Sequence, residues 1–261
     1  MRGLTRDSVV ELVDRKMLWV FGALTVIGLM MVFSLSAIDI EMYGQGVDVG
    51  EINEALGNPV LKAFNMFMYV MVFLVVLATA GLIPSMLVKG RAEYYLSKPV
   101  SRSSLFFNKV AAIWLVYGAL MSLCFLVVYI VATFLLDAFH WGFLIIIVSN
   151  LLQFFIWLSV VAFIGIFTGS AAISIMTAFG LWLIQLLLIW VRSLQSVVDI
   201  KAAGQVADVL YYILPKTIEI SDATVGYIQG AAVDWMPVYS SLIFAVALLY
   251  LAAEMFQRKD Y

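Results

Sequence analysis

Few side chains in this chain could do chemistry, and their positions limit what that chemistry would be. The only histidine, His140, sits beside Trp141 in a short turn. A lone imidazole makes no metal site, and a His next to a Trp reads as a residue of a membrane interface. The only cysteine, Cys124, lies inside an apolar run, so no disulfide can form within the chain, and a small packing role is expected. No G-x-x-x-x-G-K-S/T motif is present, so the chain has no P-loop of its own for ATP. It also lacks G-x-S-x-G, H-E-x-x-H and any His/Cys/Asp/Glu cluster at metal-ligand spacing. No catalytic residue, metal ligand set or nucleic-acid partner is therefore expected. Met66, Met68 and Met71 could offer soft thioethers to Cu(I). Methionine is also a common gap-filler in apolar helices, and that is the favoured reading.

What remains is amides and one basic loop. Asn150, Gln153 and Gln185 are the amides singled out inside the apolar runs, expected either to bond between helices or to line a path. Residues 89–109 hold five basic residues and one acid: Lys89, Arg91, Lys98, Arg102 and Lys109 against Glu93. Tyr94, Tyr95 and Leu96 fall on a short helical turn within it. Pro99 breaks that turn, and Ser101 can cap a new helix through Ser104, Leu105 and Phe106. Aromatics displayed together with Arg and Lys are the residue types enriched in protein-interface cores. The plainer reading is a basic cytoplasmic loop with interfacial tyrosines, and residue types alone do not choose between the two.

These residues must be positioned by membrane helices. The chain is 64% hydrophobic and 12% charged, against roughly 25% charged in a soluble domain. Six apolar runs can each cross a core about 30 Å thick: 17–38, 63–88, 110–136, 141–168, 171–191 and 236–253. None contains Asp, Glu, Lys or Arg. Gly169-Ser170 alone separates the fourth and fifth, which predicts a tight helical hairpin. The first run begins at Met17 and is too long for a cleavable signal core, so it is expected to stay as a span. Residues 1–16 carry a capping-box pair, Ser8 and Glu11, and apolar residues at near-helical spacing, predicting an amphipathic helix in the interface. With the N-terminus inside, eleven of the fifteen Lys and Arg fall on the cytoplasmic side: Arg2, Arg6, Arg15, Lys16, Lys89, Arg91, Lys98, Arg102, Lys109, Arg258 and Lys259. Both termini are thus expected in the cytoplasm. Two external segments result. One is 39–62, with a short helix around 49–56; the other is 192–235, with an amphipathic helix ending before Pro215.

The segment Ile83-Pro84, Arg91-Ala92-Glu93-Tyr94-Tyr95-Leu96-Ser97-Lys98-Pro99-Val100-Ser101-Arg102 and Asn108-Lys109 resembles the signature of type-2 ABC transporter permeases. Phe256-Gln257-Arg258-Lys259-Asp260-Tyr261 and Leu214-Pro215 are similar to that family's ending and to its approach to the last span. The resemblance implies a half-size, six-helix membrane subunit in a prokaryotic cell membrane, with an interfacial N-terminal helix. It implies pairing with a second copy, and a separate ABC ATPase that binds ATP and Mg. A periplasmic or extracellular accessory protein is a further partner the family admits. Lys89, Arg91, Glu93, Tyr94, Tyr95, Lys98, Pro99, Ser101 and Arg102 would form the coupling segment that docks the ATPase. Export is the implied direction. Two other readings stay open on the residues alone: a membrane anchor without transport, and a membrane-embedded lipid-modifying enzyme. The second would need an acidic or histidine pair near an interface, which is not found. A secondary carrier is disfavoured because the spans carry no ionisable residue.

Overall fold

The computed structural model describes residue 10 and residues 17–44, 59–87, 101–136, 141–195 and 209–258. Apart from residue 10, the interfacial helix expected over 1–16 lies outside these residues, as do the short helix near 49–56 and His140. Seven helices are described: α1 (Met17–Gly44), α2 (Pro59–Thr79), α3 (Arg102–Leu136), α4 (Phe143–Thr168), α5 (Ala171–Gln195), α6 (Thr217–Ile228) and α7 (Met236–Arg258). There is no strand among the described residues. With hydrocarbon around them, helices satisfy every backbone donor and acceptor internally, which is why charge-free apolar runs take this form. Among the described residues, six stretches are long and apolar enough to cross a membrane, and the protein is a multi-pass membrane protein.

α4 is the hub. It packs against α2, α3, α5, α6 and α7. It is correspondingly the most buried of the six spans, at 61%, while α1 and α5 are only 22% buried and sit at the periphery. One end of the bundle gathers Arg102, Pro84, Gly165 and Phe256. The other gathers Lys62, Phe143 and α6.

Local chemistry explains most boundaries. Gly169 adopts a left-handed conformation (φ +69°) that L side chains rarely take, and its N–H closes α4 on the Gly165 carbonyl at 2.9 Å. α5 starts two residues later, so the predicted hairpin is present. At the start of α3, the Ser101 hydroxyl accepts from the Ser104 N–H at 3.3 Å, the cap expected from the sequence. The helix therefore begins at Arg102, eight residues before the apolar run does.

The second span differs from expectation. Residues 63–88 were expected to form one helix. Instead α2 ends at Thr79, a turn follows over 80–83, and a 3-10 helix occupies Pro84–Leu87. Pro84 has no N–H to donate and disfavours helical backbone at Ile83. The Thr79 hydroxyl bonds back to the Val75 carbonyl (2.9 Å) and reaches that of Val76 (3.2 Å), covering acceptors where the ladder stops. The Pro84 ring then lies against Gly165, where a Cβ would meet ring carbons at 3.0 and 3.1 Å.

The external segments are shorter than expected. α1 continues to Gly44, α2 begins at Pro59, a favoured first helical residue, and α5 continues to Gln195. Residues 209–213 are helical and stop before Pro215, as expected. α6 was not anticipated.

Candidate functional site

α6 lies at the end of the bundle away from Arg102 and packs on α2, α4 and α7. Its buried positions are Thr217, Ile220, Ser221 and Thr224, one helical stripe that is three-quarters hydroxyl. Each hydroxyl meets a polar group of a span. Thr217 Oγ1 donates to Gln185 Oε1 at 2.8 Å, and Ser221 Oγ donates to Asn65 Oδ1 at 3.0 Å. Thr224 and Ser149 share a bond of 2.7 Å, and Thr224 Oγ1 donates to the Ile220 carbonyl at 2.7 Å. A hydroxyl has one proton, so Ser149 must donate to Thr224. Gln153 Nε2 in turn donates to Ser149 Oγ at 3.3 Å. The chain Gln153–Ser149–Thr224–Ile220 thus runs from the hub helix into α6.

The three amides predicted from sequence are all buried: Asn150 at 1%, Gln153 at 0% and Gln185 at 5% exposure. Gln185 bonds across helices, as expected. Asn150 bonds only within its own helix, Nδ2 to the Ile146 carbonyl at 2.7 Å, and Gln153 reaches α6 through Ser149. Asn150 Oδ1, Gln153 Oε1 and Gln185 Nε2 have no hydrogen-bond partner among the described residues. Buried to this degree, they are out of reach of a ligand on a path unless the surrounding helices move. Thr224→Val should strand the Ser149 hydroxyl, while the Ile220 carbonyl keeps its helical backbone partner, and lower stability by about 1–3 kcal/mol. Thermal unfolding in detergent checks this, with Thr224→Ser expected to stay close to the parent.

Lys216, which precedes α6, is 4% exposed. Its N–H donates to Ser241 Oγ at 2.8 Å and its Nζ to Ser240 Oγ at 3.1 Å, both on α7. Nζ also lies 4.6 Å from the centre of the Tyr211 ring, whose hydroxyl donates to Glu219 at 2.7 Å. A cavity of about 20 Å³ lined by Gln185, Tyr211, Lys216 and Glu219 has room for one water. Counting Lys216 as one more external charge missed this cluster.

A larger open groove of about 650 Å³ lies between α2, α5 and α6. Lys62, Met66 and Tyr69 of α2, Trp182 of α5, and Ser221 and Asp222 of α6 line it. Trp182 Nε1 donates to Tyr69 Oη at 2.7 Å, tying α5 to α2. Desolvation beside the groove pushes the Asp222 carboxyl above its ordinary value. The methionines do not converge: Met66 is 71% exposed in the groove, while Met68 and Met71 are in the core. That geometry speaks for the gap-filler reading over a three-sulfur copper site. Among the described residues, no three His, Cys, Asp or Glu side chains cluster for a metal. Cys124 is a buried packing residue.

At the opposite end, Arg102 Nη1 donates to the Gln257 carbonyl at 3.1 Å. The rings of Phe106 and Phe256 lie 6.0 Å apart, and Lys109 is buried at 1%. The start of α3 is thereby fastened to the end of α7. Of the predicted coupling residues, Ser101 and Arg102 are described. Lys89, Arg91, Glu93, Tyr94, Tyr95, Lys98 and Pro99 lie outside the described residues. No protein-family model matches the chain, and neither does any curated protein.

Proposed function

We propose that this protein is the membrane-spanning permease subunit of an ATP-binding-cassette exporter. It would work as a pair of copies, driven by a separate ATPase docked on residues 89–109 at the cytoplasmic face. The observation that carries the reading is the Arg91–Arg102 segment: Arg-Ala-Glu-Tyr-Tyr-Leu-Ser-Lys-Pro-Val-Ser-Arg running directly into a capped membrane helix. A short docking element continuous with a span can pass a push from outside the membrane to the helices inside it. The Arg102–Gln257 bond and the Phe106–Phe256 contact extend that linkage to α7, which packs on the hub α4. The missing P-loop and the charge-free spans fit a subunit whose energy comes from a partner. On this reading both termini are cytoplasmic and α6 faces outside.

Purification of the tagged chain from its own membrane in mild detergent tests the proposal. A stoichiometric P-loop ATPase with vanadate-sensitive hydrolysis is the expected result. A preparation free of any ATPase in several detergents overturns it. Pro99→Ala is expected to lower transport per ATP hydrolysed while leaving the complex intact, because Pro99 sets the shape of the lever. An unchanged ratio in reconstituted vesicles would remove Pro99 from that role.

A further inference from the structure

The groove between α2, α5 and α6 has the size and chemistry of a built site. Its volume of about 650 Å³ falls within the roughly 300–1,000 Å³ of small-molecule sites. Its walls are held by the Trp182–Tyr69 and Ser221–Asn65 hydrogen bonds, so the shape exists before anything binds. It is amphipathic along its length. Lys62 on α2 and Asp222 on α6 face it with opposite charges. Below them, Met66, Val70 and Leu186 are 71%, 43% and 41% exposed on two membrane-spanning helices, where the surroundings are hydrocarbon. Tyr69 and Trp182, joined by their hydrogen bond, lie about two helical turns along from Lys62, level with Val70.

We propose that this groove binds an amine-bearing, zwitterionic phospholipid from the half of the bilayer at the α6 end. The phosphate meets Lys62, the ammonium meets Asp222, and one acyl chain runs down past Met66, Val70 and Leu186. Two magnitudes narrow the pose. The space deeper between Tyr69, Phe73, Trp157 and Trp182 is only about 10 Å³, at or below what one water needs, so the chain stays on the lipid-facing surface. A carboxylate opposite the lysine disfavours a purely anionic headgroup. A trimethylated amine offers Asp222 no N–H, so a primary ammonium is the better match. This inference holds whether or not an ATPase docks at the other end.

The full chain, purified with whatever accompanies it, is placed in bilayer discs containing equal parts phosphatidylethanolamine, phosphatidylcholine and phosphatidylglycerol. Lipid retained after release from the discs is counted by native mass spectrometry. Phosphatidylethanolamine is expected to exceed each of the others by about threefold, the scale of one partly screened ion pair. Asp222→Asn and Lys62→Gln should each remove that preference, and Met66→Trp should lower the amount of bound lipid by crowding the acyl path. Equal retention of the three headgroups overturns the proposal. So does a preference unchanged in all three variants, which would mean that a second copy or another segment of this chain covers the groove. ATPase recovery is not part of the readout, so failure here leaves the permease reading untouched.

Discussion

Arg102→Glu is expected to leave the chain inserted in the membrane and to cut co-purifying ATPase by about tenfold, a loss of roughly 1.4 kcal/mol of binding. Two effects act together. The substitution reverses charge at the end of the proposed docking segment. It also removes the Nη1 donor from the Gln257 carbonyl and puts a carboxylate beside the C-terminal end of α7, where the helix dipole already carries partial negative charge. Arg102→Lys separates them, because it keeps the charge and loses the planar fork. If lysine restores ATPase recovery, charge at the interface dominates. If it does not, the link from α3 to α7 is what the complex needs. Full recovery with glutamate would remove Arg102 from docking altogether.

Gly28→Leu is expected to be the most destabilising single change among the packed glycines. A Cβ at Gly28 would sit 2.6 Å from the Phe67 ring and 2.9 Å from a Val128 methyl. Both neighbours are buried, at 7% and 0% exposure, so neither can swing into open space. Overpacking of this kind costs about 1–3 kcal/mol, and leucine adds three carbons beyond the Cβ. At about 2–4 °C per kcal/mol, the unfolding midpoint in detergent should fall by several degrees. Gly22→Leu is the control, because a Cβ there meets nothing within 4 Å. Equal midpoints for the two variants would show that α1 does not approach α2 and α3 this closely.

The spans could be read from sequence because charge-free apolar runs of that length have few alternatives, and the Gly169-Ser170 hairpin and Ser101 cap because single residues dictate them. Three features were harder. The break after Thr79 is masked by continuous apolarity, although Gly81 and Pro84 mark it. α6 was missed because its buried stripe is mostly Thr and Ser, and a search for apolar periodicity reads that as a polar loop. The third is partnership: nothing near Gln153 in sequence points to Ser149 and Thr224, 75 residues apart, as one hydrogen-bonded chain. For the candidate site, Asn150, Gln153 and Gln185 were found by being rare, whereas Asn65, inside the second run and bonded to Ser221, was passed over. The groove was not, because Lys62, Asp222 and Trp182 come from three separate elements.

The two-residue link between α4 and α5 also bears on how the protein is made. The helices are 26 and 25 residues long, and no slack separates them. A nascent chain cannot leave one in the aqueous channel while the other settles into lipid, so they must partition sideways as a single hairpin. Asn150, Gln153 and Gln185 enter with it, before α6 has emerged from the ribosome. Until Thr217 and Thr224 arrive, the Gln185 amide and the Ser149–Gln153 pair lack their hydroxyl partners. Assembly is therefore incomplete until residue 224 has left the ribosome, and truncations ending between 195 and 216 should be recognised and degraded as unfinished membrane protein.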